Sequence, residues 1–527
     1  MTLLADPPAA SPTPVLSPDE RETLIHYIHA PHHTKTQGHV SPIDLSEVGR
    51  VPWGSEQCVS EAATLVREAQ KKWAQTPLAK RVAVVRKLHD LVLNNYEHIC
   101  DIIQTETGKS RQSAMEEVAD VAMTARYYSR SAKRHLGPHW RAGAFPLVTS
   151  TVERHVPKGL VGMISPWNYP FTLPLSDAIP ALLAGNGVIL KPDPKTPFSA
   201  LIGLELLAQA GLPKNLFLVV TGEPASIGPA LIAESNFVMF TGSTQTGKII
   251  AQVCGRHLID FSAELGGKNP MIVLADAPLD RAVEGTIAAC FSNAGQLCMS
   301  VERLMVHESI ADDFTTKLVD RINQLSLGVG LNWDAEVGSL ISESQLTRVK
   351  SHVSDAVDKG AEILAGGQHR PDLGAYVFEP TLLRGVTEEM VLCREETFGP
   401  VVSLTTFTTD EEAVEKANDT DYGLSASVWG SPKHARAIAE RIEAGGVNIN
   451  EGFTAAYASL DAPMGGFKKS GVGRRHGKAG IVKYTDAQTV SRQRLVNISK
   501  PPGMSGEKFA ALMVRGLKML AKLPGKH

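Results

Sequence analysis

Between Gly159 and Glu264 the chain alternates short apolar runs with helix-patterned stretches: GLVGMIS, SDAIPALLAG, GVILKP, SALIGLELLAQAG, LFLVV, ASIGPALIAE and FVMFTG, in that order. Runs that are apolar throughout fit strands buried on both faces, and the helical stretches between them fit the crossovers that parallel strands require. The rhythm restricts this region to an open α/β sheet with helices on its faces, whose ligands bind at the carboxyl ends of the strands. A second alternation, with MIVLA, RLMVH, VVSLTTF, ASVWG and GVNIN as strand candidates between Asn269 and Asn450, predicts a second α/β lobe. At 527 residues, 43% of them hydrophobic, the chain is long enough for two or three packed cores.

Around these lobes the pattern changes. From Glu61 to about Lys133 apolar residues recur three and four apart, which predicts packed helices. TSTVERHVPKG at 149–159 alternates and ends in a breaker, predicting an exposed ribbon whose edge needs a partner. The opening residues, rich in proline, alanine and serine, read as a loose tail. His26, His29, His32, His33 and His39 crowd together, but their spacing is irregular with no acid or cysteine among them, so no metal site is expected. The six cysteines contain no CxxC pair, which favours a reducing cytoplasm over a disulfide framework. A net charge of −3, from 53 basic and 56 acidic residues, gives no overall attraction to nucleic acid. No basic-then-apolar leader opens the sequence, and no stretch reaches the roughly 18 apolar residues of a spanning helix.

Several short motifs sit where chemistry would be expected. In SPWNYP (165–170) the Asn168 amide is a preorganised donor for a developing oxyanion, or else the ordinary asparagine of a turn. Lys191, at the end of the next strand, suits ribose hydroxyls or a phosphate, and equally a solvated loop start. In FTGSTQTGKIIAQ, Gly242 and Gly247 flank a turn opening a helix, with the Ser243 hydroxyl as an extra donor to an anion; a purely structural glycine turn is the rival. The chain has no GxGxxG fingerprint. Glu264 in SAELGGKNP suits a general base in a partly dry site, or an ion pair with Lys268. Glu396 in CREETFGPVV suits a sugar diol, with Phe398 beside it, and an exposed acidic loop would have the same pattern. Cys298 follows the turn FSNAGQL, while Cys290 lies in a helical pattern and reads as core.

In order and separation, PWNYP, KPD, FTGSTQTG, ELGGKNP, GQLC and EETFGPVV resemble the aldehyde dehydrogenase superfamily over about residues 50 to 490. The resemblance implies two open α/β lobes and a β-ribbon oligomerisation arm. The cofactor-binding lobe is expected at 46–134 and 158–266 and the catalytic lobe at 267–455. The arm is expected at 135–157 and 485–500, with tails at 1–45 and 501–527. It implies that Cys298 attacks an aldehyde as nucleophile, Asn168 binds the oxyanion and Glu264 activates the hydrolytic water. Pro166, Trp167, Lys191, Gly228, Gly242, Ser243, Gly247, Glu396 and Phe398 would line or bind the dinucleotide. Where NAD-preferring relatives commonly carry a glutamate, Pro194 stands here with Lys195 beside it. NADP is therefore the expected cofactor, with NAD as second choice.

FSAELGGKNPMIV, CFSNAGQLCMS and APMGGFKKSGVGRRHG are most similar to the succinate-semialdehyde dehydrogenases of actinobacterial type. Better-known succinate-semialdehyde enzymes grip the distal carboxylate with two arginines and a serine. By motif offset the arginines fall on Ser176 and Ser292, and the serine survives as Ser459. Neutral aliphatic or aromatic aldehydes are the competing substrates, and a thiol hydrolase or scaffold on the same fold is the reading from another class. The resemblance further implies a homodimer or homotetramer through the arm. Beyond Lys500, a helical pattern sets Phe509, Leu512, Met513, Leu517 and Leu520 on one face among Lys508, Arg515, Lys518 and Lys522. Docking on the chain's own subunit or a neighbour is expected, with a membrane surface as the alternative.

Overall fold

The structure, a computed structural model, describes residues 15–143, 149–494 and 499–522. Helix α1 (Pro18–Ile25) is capped by Ser17, whose hydroxyl accepts from the Glu20 amide at 3.2 Å. A hairpin of Lys35–Val40 and Glu47–Trp53 follows. The segment expected as a tail to residue 45 is therefore corrected from Val15 onward. Leu16, Leu24, Ile28 and Ala30 share a core with Phe198 and Leu204, because they bring the apolar surface that the opening residues lack. Residues 1–14 lie outside the described residues.

Four helices fill the helical region, ending with α2 (Arg111–Leu136). After strand β1 (Thr149–Pro157) come β2 (Leu160–Ile164), α3 (Thr172–Ala184), β3 (Gly187–Lys191), α4 (Pro197–Gln209) and β4 (Phe217–Val219). The chain then continues through α5 (Pro224–Glu234), β5 (Phe237–Thr241), α6 (Thr244–His257) and β6 (Asp260–Glu264). The sheet order is Gly471–Val472, β6, β5, β2, β3, β4, parallel except for the first pair, where Gly471 lies opposite Glu264. From β2 the chain winds outward to β4, then returns to β5 on the other side. That reversal opens a crevice at the carboxyl ends of β2 and β5.

The second lobe contains β7 (Asn269–Val273), α7 (Leu279–Phe291), β8 (Val301–His307), β9 (Glu362–Ala365), β10 (Thr381–Arg384), β11 (Val401–Phe407), β12 (Ser425–Trp429) and β13 (Gly446–Ile449). Its order is β9, β10, β11, β8, β7, β12, β13, with only the β9–β10 pair antiparallel. All five strands expected from apolar runs are present. The short strands β9, at the edge, and β10, beside it, were not expected, since four residues carry too little pattern.

β1 pairs antiparallel with β14 (Thr485–Gln493) on one side and with His139–Arg141 on the other. The second part of the arm was expected at 485–500; its strand runs from Thr485 to Gln493, and residues 495–498 lie outside the described residues. Helix α8 (Gly506–Leu520) follows. No described helix is long and apolar enough to cross a membrane. The histidine-rich stretch does acquire an acid: Glu61 stands 3.6 Å from His29 and 3.3 Å from His32.

Candidate functional site

The carboxyl ends of β2, β5 and β6 face the turn before Cys298 across a cavity of about 440 Å³. Pro166, Trp167 and Asn168 line it after β2, Gly242 and Ser243 after β5, and Glu264 at the end of β6. Cys298, Glu396 and Phe398 reach it from the second lobe.

The turn that presents Cys298, Ser292–Gly295, is tight and left-handed, with φ of 51° at Asn293, 53° at Ala294 and 70° at Gly295. A side chain at Gly295 would run into the Gly399 carbonyl, so this position takes only glycine. Side chains pin the turn: Asn293 Nδ2 donates to the carbonyls of Gln296 at 3.0 Å and Asn168 at 3.2 Å. The Gln296 Oε1 accepts from the Ile341 amide at 2.9 Å. Asn168 Nδ2 donates to the Gln296 carbonyl at 3.0 Å, which holds its amide close to the Cys298 segment. Burial, then the carboxylates of Glu396 and Glu264, push the Cys298 thiol up to about 12. Cys290 is 1% exposed within α7 and does not line the cavity.

Glu264 is 3% exposed, and neither carboxylate oxygen has a hydrogen-bond partner among the described residues. Burial raises its carboxyl to about 7; Arg475 and Lys483 pull down against that, and Asp177 pushes up. The rival ion pair with Lys268 does not form. Lys268 Nζ donates instead to Glu302 at 2.5 Å, and Glu302 also accepts from the Thr397 and Phe398 amides. Glu264 is thus a buried carboxylate left free to act on whatever enters the cavity.

Glu396 accepts from the Gly267 amide at 2.9 Å, and burial followed by Glu302 raises its carboxyl to about 8. Phe398 has a φ of 58° and sets its ring edge-on to Trp167, 5.5 Å between centroids. Ser243 caps α6 by accepting from the Thr246 amide at 3.2 Å. Gly242 and Gly247 have packing reasons of their own: a Cβ would meet the Phe240 ring at 2.6 Å and Leu265 at 2.5 Å, respectively. Gly228, in α5, has no atom within 4 Å of where a Cβ would stand. Lys191 is 6% exposed and donates to the Pro192 carbonyl at 3.3 Å; burial lowers its pKa. It lines a second, narrow cleft with His39, Trp53 and Pro194, so Lys191 and Gly228 lie outside the main cavity wall.

The three serines expected around the substrate are not brought there. Ser176 donates to Asp120 Oδ2 at 2.6 Å inside the α2–α3 packing, and Ser459 is exposed, donating to the Ala455 carbonyl at 2.7 Å. Neither they nor Ser292 line the cavity. Its substrate side is formed by Tyr169, Leu173, Met299, Phe453 and Tyr457, with Glu116 and Asp120 projecting from α2. Arg475, 3% exposed, completes the wall and pairs with Asp177 at 3.2 Å. Sequence reasoning missed Glu116, Asp120 and Arg475; the only local signal was the RRH that follows the glycine-rich stretch GVG.

Residues 29–490 match the aldehyde dehydrogenase family. The chain belongs to that family. It is 50% identical, over 91% of its length and 93% of the relative's, to a Mycolicibacterium smegmatis protein provisionally named succinate-semialdehyde dehydrogenase [NADP(+)]. It is 35% identical over 85% of its length to the succinate semialdehyde dehydrogenase of Acinetobacter baylyi, of which 92% is covered. Among solved structures, an aldehyde dehydrogenase from Brucella melitensis biovar abortus superposes with a TM-score of 0.84 at 34% identity, covering 89% of this chain and 96% of that one. Betaine aldehyde dehydrogenase from Staphylococcus aureus in complex with NAD+ gives 0.84 at 30% identity, covering 91% and 99%. As an aldehyde dehydrogenase, the protein is an enzyme that oxidises an aldehyde to its carboxylic acid.

Proposed function

We propose that this aldehyde dehydrogenase oxidises succinate semialdehyde to succinate with NADP, and with NAD as a second acceptor. The observation that carries the reading is the meeting of Cys298, Asn168 and Glu264 around one cavity, with neither Glu264 oxygen hydrogen-bonded among the described residues. Cys298 Sγ gives its proton to solvent water and bonds to the aldehyde carbon, while the carbonyl π pair moves onto the oxygen, which gathers negative charge beside the Asn168 amide. A nicotinamide, when bound, would supply the acceptor for the hydride that leaves the former aldehyde carbon as the C=O re-forms in a thioester to Cys298. Glu264 then takes a proton from water as that water attacks the thioester carbon; the C–S bond breaks, the acid leaves and the thiol is restored.

This chain's residues fit a dinucleotide. Lys191 is a buried ammonium bonded to a backbone carbonyl, suited to ribose hydroxyls. Ser243 stands at the first turn of α6, where backbone amides favour a pyrophosphate, and Glu396 is a diol acceptor. For the 2′-phosphate of NADP, Pro194 presents no charge, and the neighbouring Asp193 carboxylate is engaged by the Lys195 amide at 2.9 Å. The mycobacterial relatives are named as NADP(+) enzymes, which supports the same choice.

The semialdehyde reading rests on those relatives and on Arg475, a guanidinium in the cavity wall able to face a distal carboxylate. A second reading, neutral aldehydes, is favoured by the apolar lining and by Glu116 and Asp120, whose carboxylates repel an anion. We assign the enzyme to the cytoplasm, consistent with six free cysteines, and to a homodimer or homotetramer built on the β1–β14 ribbon. The test is kcat/KM for succinate semialdehyde, butanal and benzaldehyde, each with NADP and NAD. Highest values for succinate semialdehyde with NADP support the proposal; highest values for the neutral aldehydes replace the substrate, and turnover with NAD alone replaces the cofactor.

A further inference from the structure

Helix α8 lies beyond residues 29–490, the stretch matched by the family. Ser505 caps it by accepting from the Lys508 amide at 3.3 Å, so the helix begins at a defined signal. Its apolar side chains are not spent on a core: Leu512 is 58% exposed, Leu517 57% and Met519 71%, while Phe509 and Met513 are only half-buried. The expected docking on its own subunit is therefore not what the structure has.

At 100° per residue, Phe509, Leu512, Met513, Leu517 and Met519 fall within about half of the helix circumference. Lys508, Arg515 and Lys518 occupy an adjoining arc, with Lys522 just past the helix end. The one acid is Glu507, in the first turn. A 15-residue helix is about 22 Å long, short of the roughly 30 Å hydrocarbon layer, so it cannot span. An apolar half-cylinder with cations along one side has instead the form of a helix lying in a bilayer interface, rings and alkyl chains among the acyl tails and basic side chains at the headgroup phosphates. Pairing of two copies gains little from charge in this layout, because the three helix cations of each copy have a single acid, Glu507, to meet across a seam.

We propose that α8 docks this enzyme on an anionic membrane surface. The test is co-sedimentation of the full chain with phosphatidylglycerol-containing vesicles and with pure phosphatidylcholine vesicles, alongside light scattering for oligomeric state. Two variants accompany it, Lys508→Gln with Arg515→Gln and Lys518→Gln, and Leu512→Glu with Leu517→Glu; turnover, in a cavity that no α8 residue lines, reports that each is folded. The expected result is binding to the anionic vesicles, weakened on the order of a hundredfold by loss of three cations and abolished by the two glutamates, at unchanged kcat. No sedimentation of the full chain, or sedimentation indifferent to both variants, overturns the proposal. So does an oligomeric state that falls when residues 501–527 are removed while vesicles go unbound, which would assign the helix to a neighbouring copy.

Discussion

Arg475 and Asp177 form a buried ion pair, 3.2 Å apart, in the wall beside Glu264. Lys483 approaches the other Asp177 oxygen at 3.9 Å and donates to Ser262 Oγ at 3.4 Å, on the strand that ends in Glu264. Glu264 thus sits among Arg475, Lys483 and the more distant Arg474, which favour its anion, with Asp177 opposing them. Exchanging the pair, Asp177→Arg with Arg475→Asp, keeps two opposite charges in contact but turns the one nearest the cavity negative. Loss of a cation beside Glu264 raises its pKa further, so the rising limb of kcat against pH moves upward by one unit or more, on the order of 1.4 kcal/mol per unit. An unmoved limb in a folded double variant would sink this role for Arg475.

The wild-type profile follows from the same carboxyl. With its pKa raised to about 7, Glu264 is protonated below that value and cannot accept a proton from water. Thioester hydrolysis should fall about tenfold per unit on the acid side and level off above it. In Glu264→Gln the limb disappears, and stopped-flow absorbance shows one burst of reduced nicotinamide followed by stalled turnover.

Cys298→Ser should lower turnover on the order of 10⁴-fold or more, since a serine hydroxyl ionises far less readily than a thiol and is the weaker nucleophile. Dinucleotide affinity, read by fluorescence titration, should stay unchanged. Cys290→Ser, in the α7 core, should leave turnover within about threefold and show its effect in stability instead.

A structural prediction concerns Lys109 and Glu117, whose side chains are fully buried 2.7 Å apart. Lys109 Nζ also donates to the Asn168 carbonyl at 2.6 Å, while Glu117 Oε2 accepts from the Phe171 amide at 2.8 Å and the Thr172 amide at 3.0 Å. The pair staples α2 to the segment that carries Asn168. Lys109→Met strands the carboxylate and should cost about 3–5 kcal/mol in urea unfolding. Activity should fall with it, since the Asn168 segment loses its support.

These features divide sharply in how far the sequence revealed them. The buried strands were legible because both faces are covered, so GVILK and FVMFT read as unbroken apolar runs. Asn168, Glu264 and Cys298 were legible because each follows or ends such a strand, or a glycine-bearing turn. Asp177, Glu116 and Asp120 were hidden. A carboxylate on a helix has the same pattern whether it faces solvent or another helix, and only the packing of α2 against α3 turns these three inward. The rival pair Glu264 with Lys268 was plausible by spacing, but β8 brings Glu302 to Lys268 from 34 residues away, beyond local pattern. Motif offset also misled at Ser176, which packing commits to Asp120 rather than to substrate.

The most direct measurement is mass spectrometry of Glu264→Gln quenched during the stalled phase with succinate semialdehyde and NADP, followed by peptide mapping. The account predicts one acyl group per chain, on the peptide containing Cys298 and absent from Cys298→Ser. An unmodified protein, or an acyl group on another residue, would contradict the division of labour between Cys298 as nucleophile and Glu264 as base.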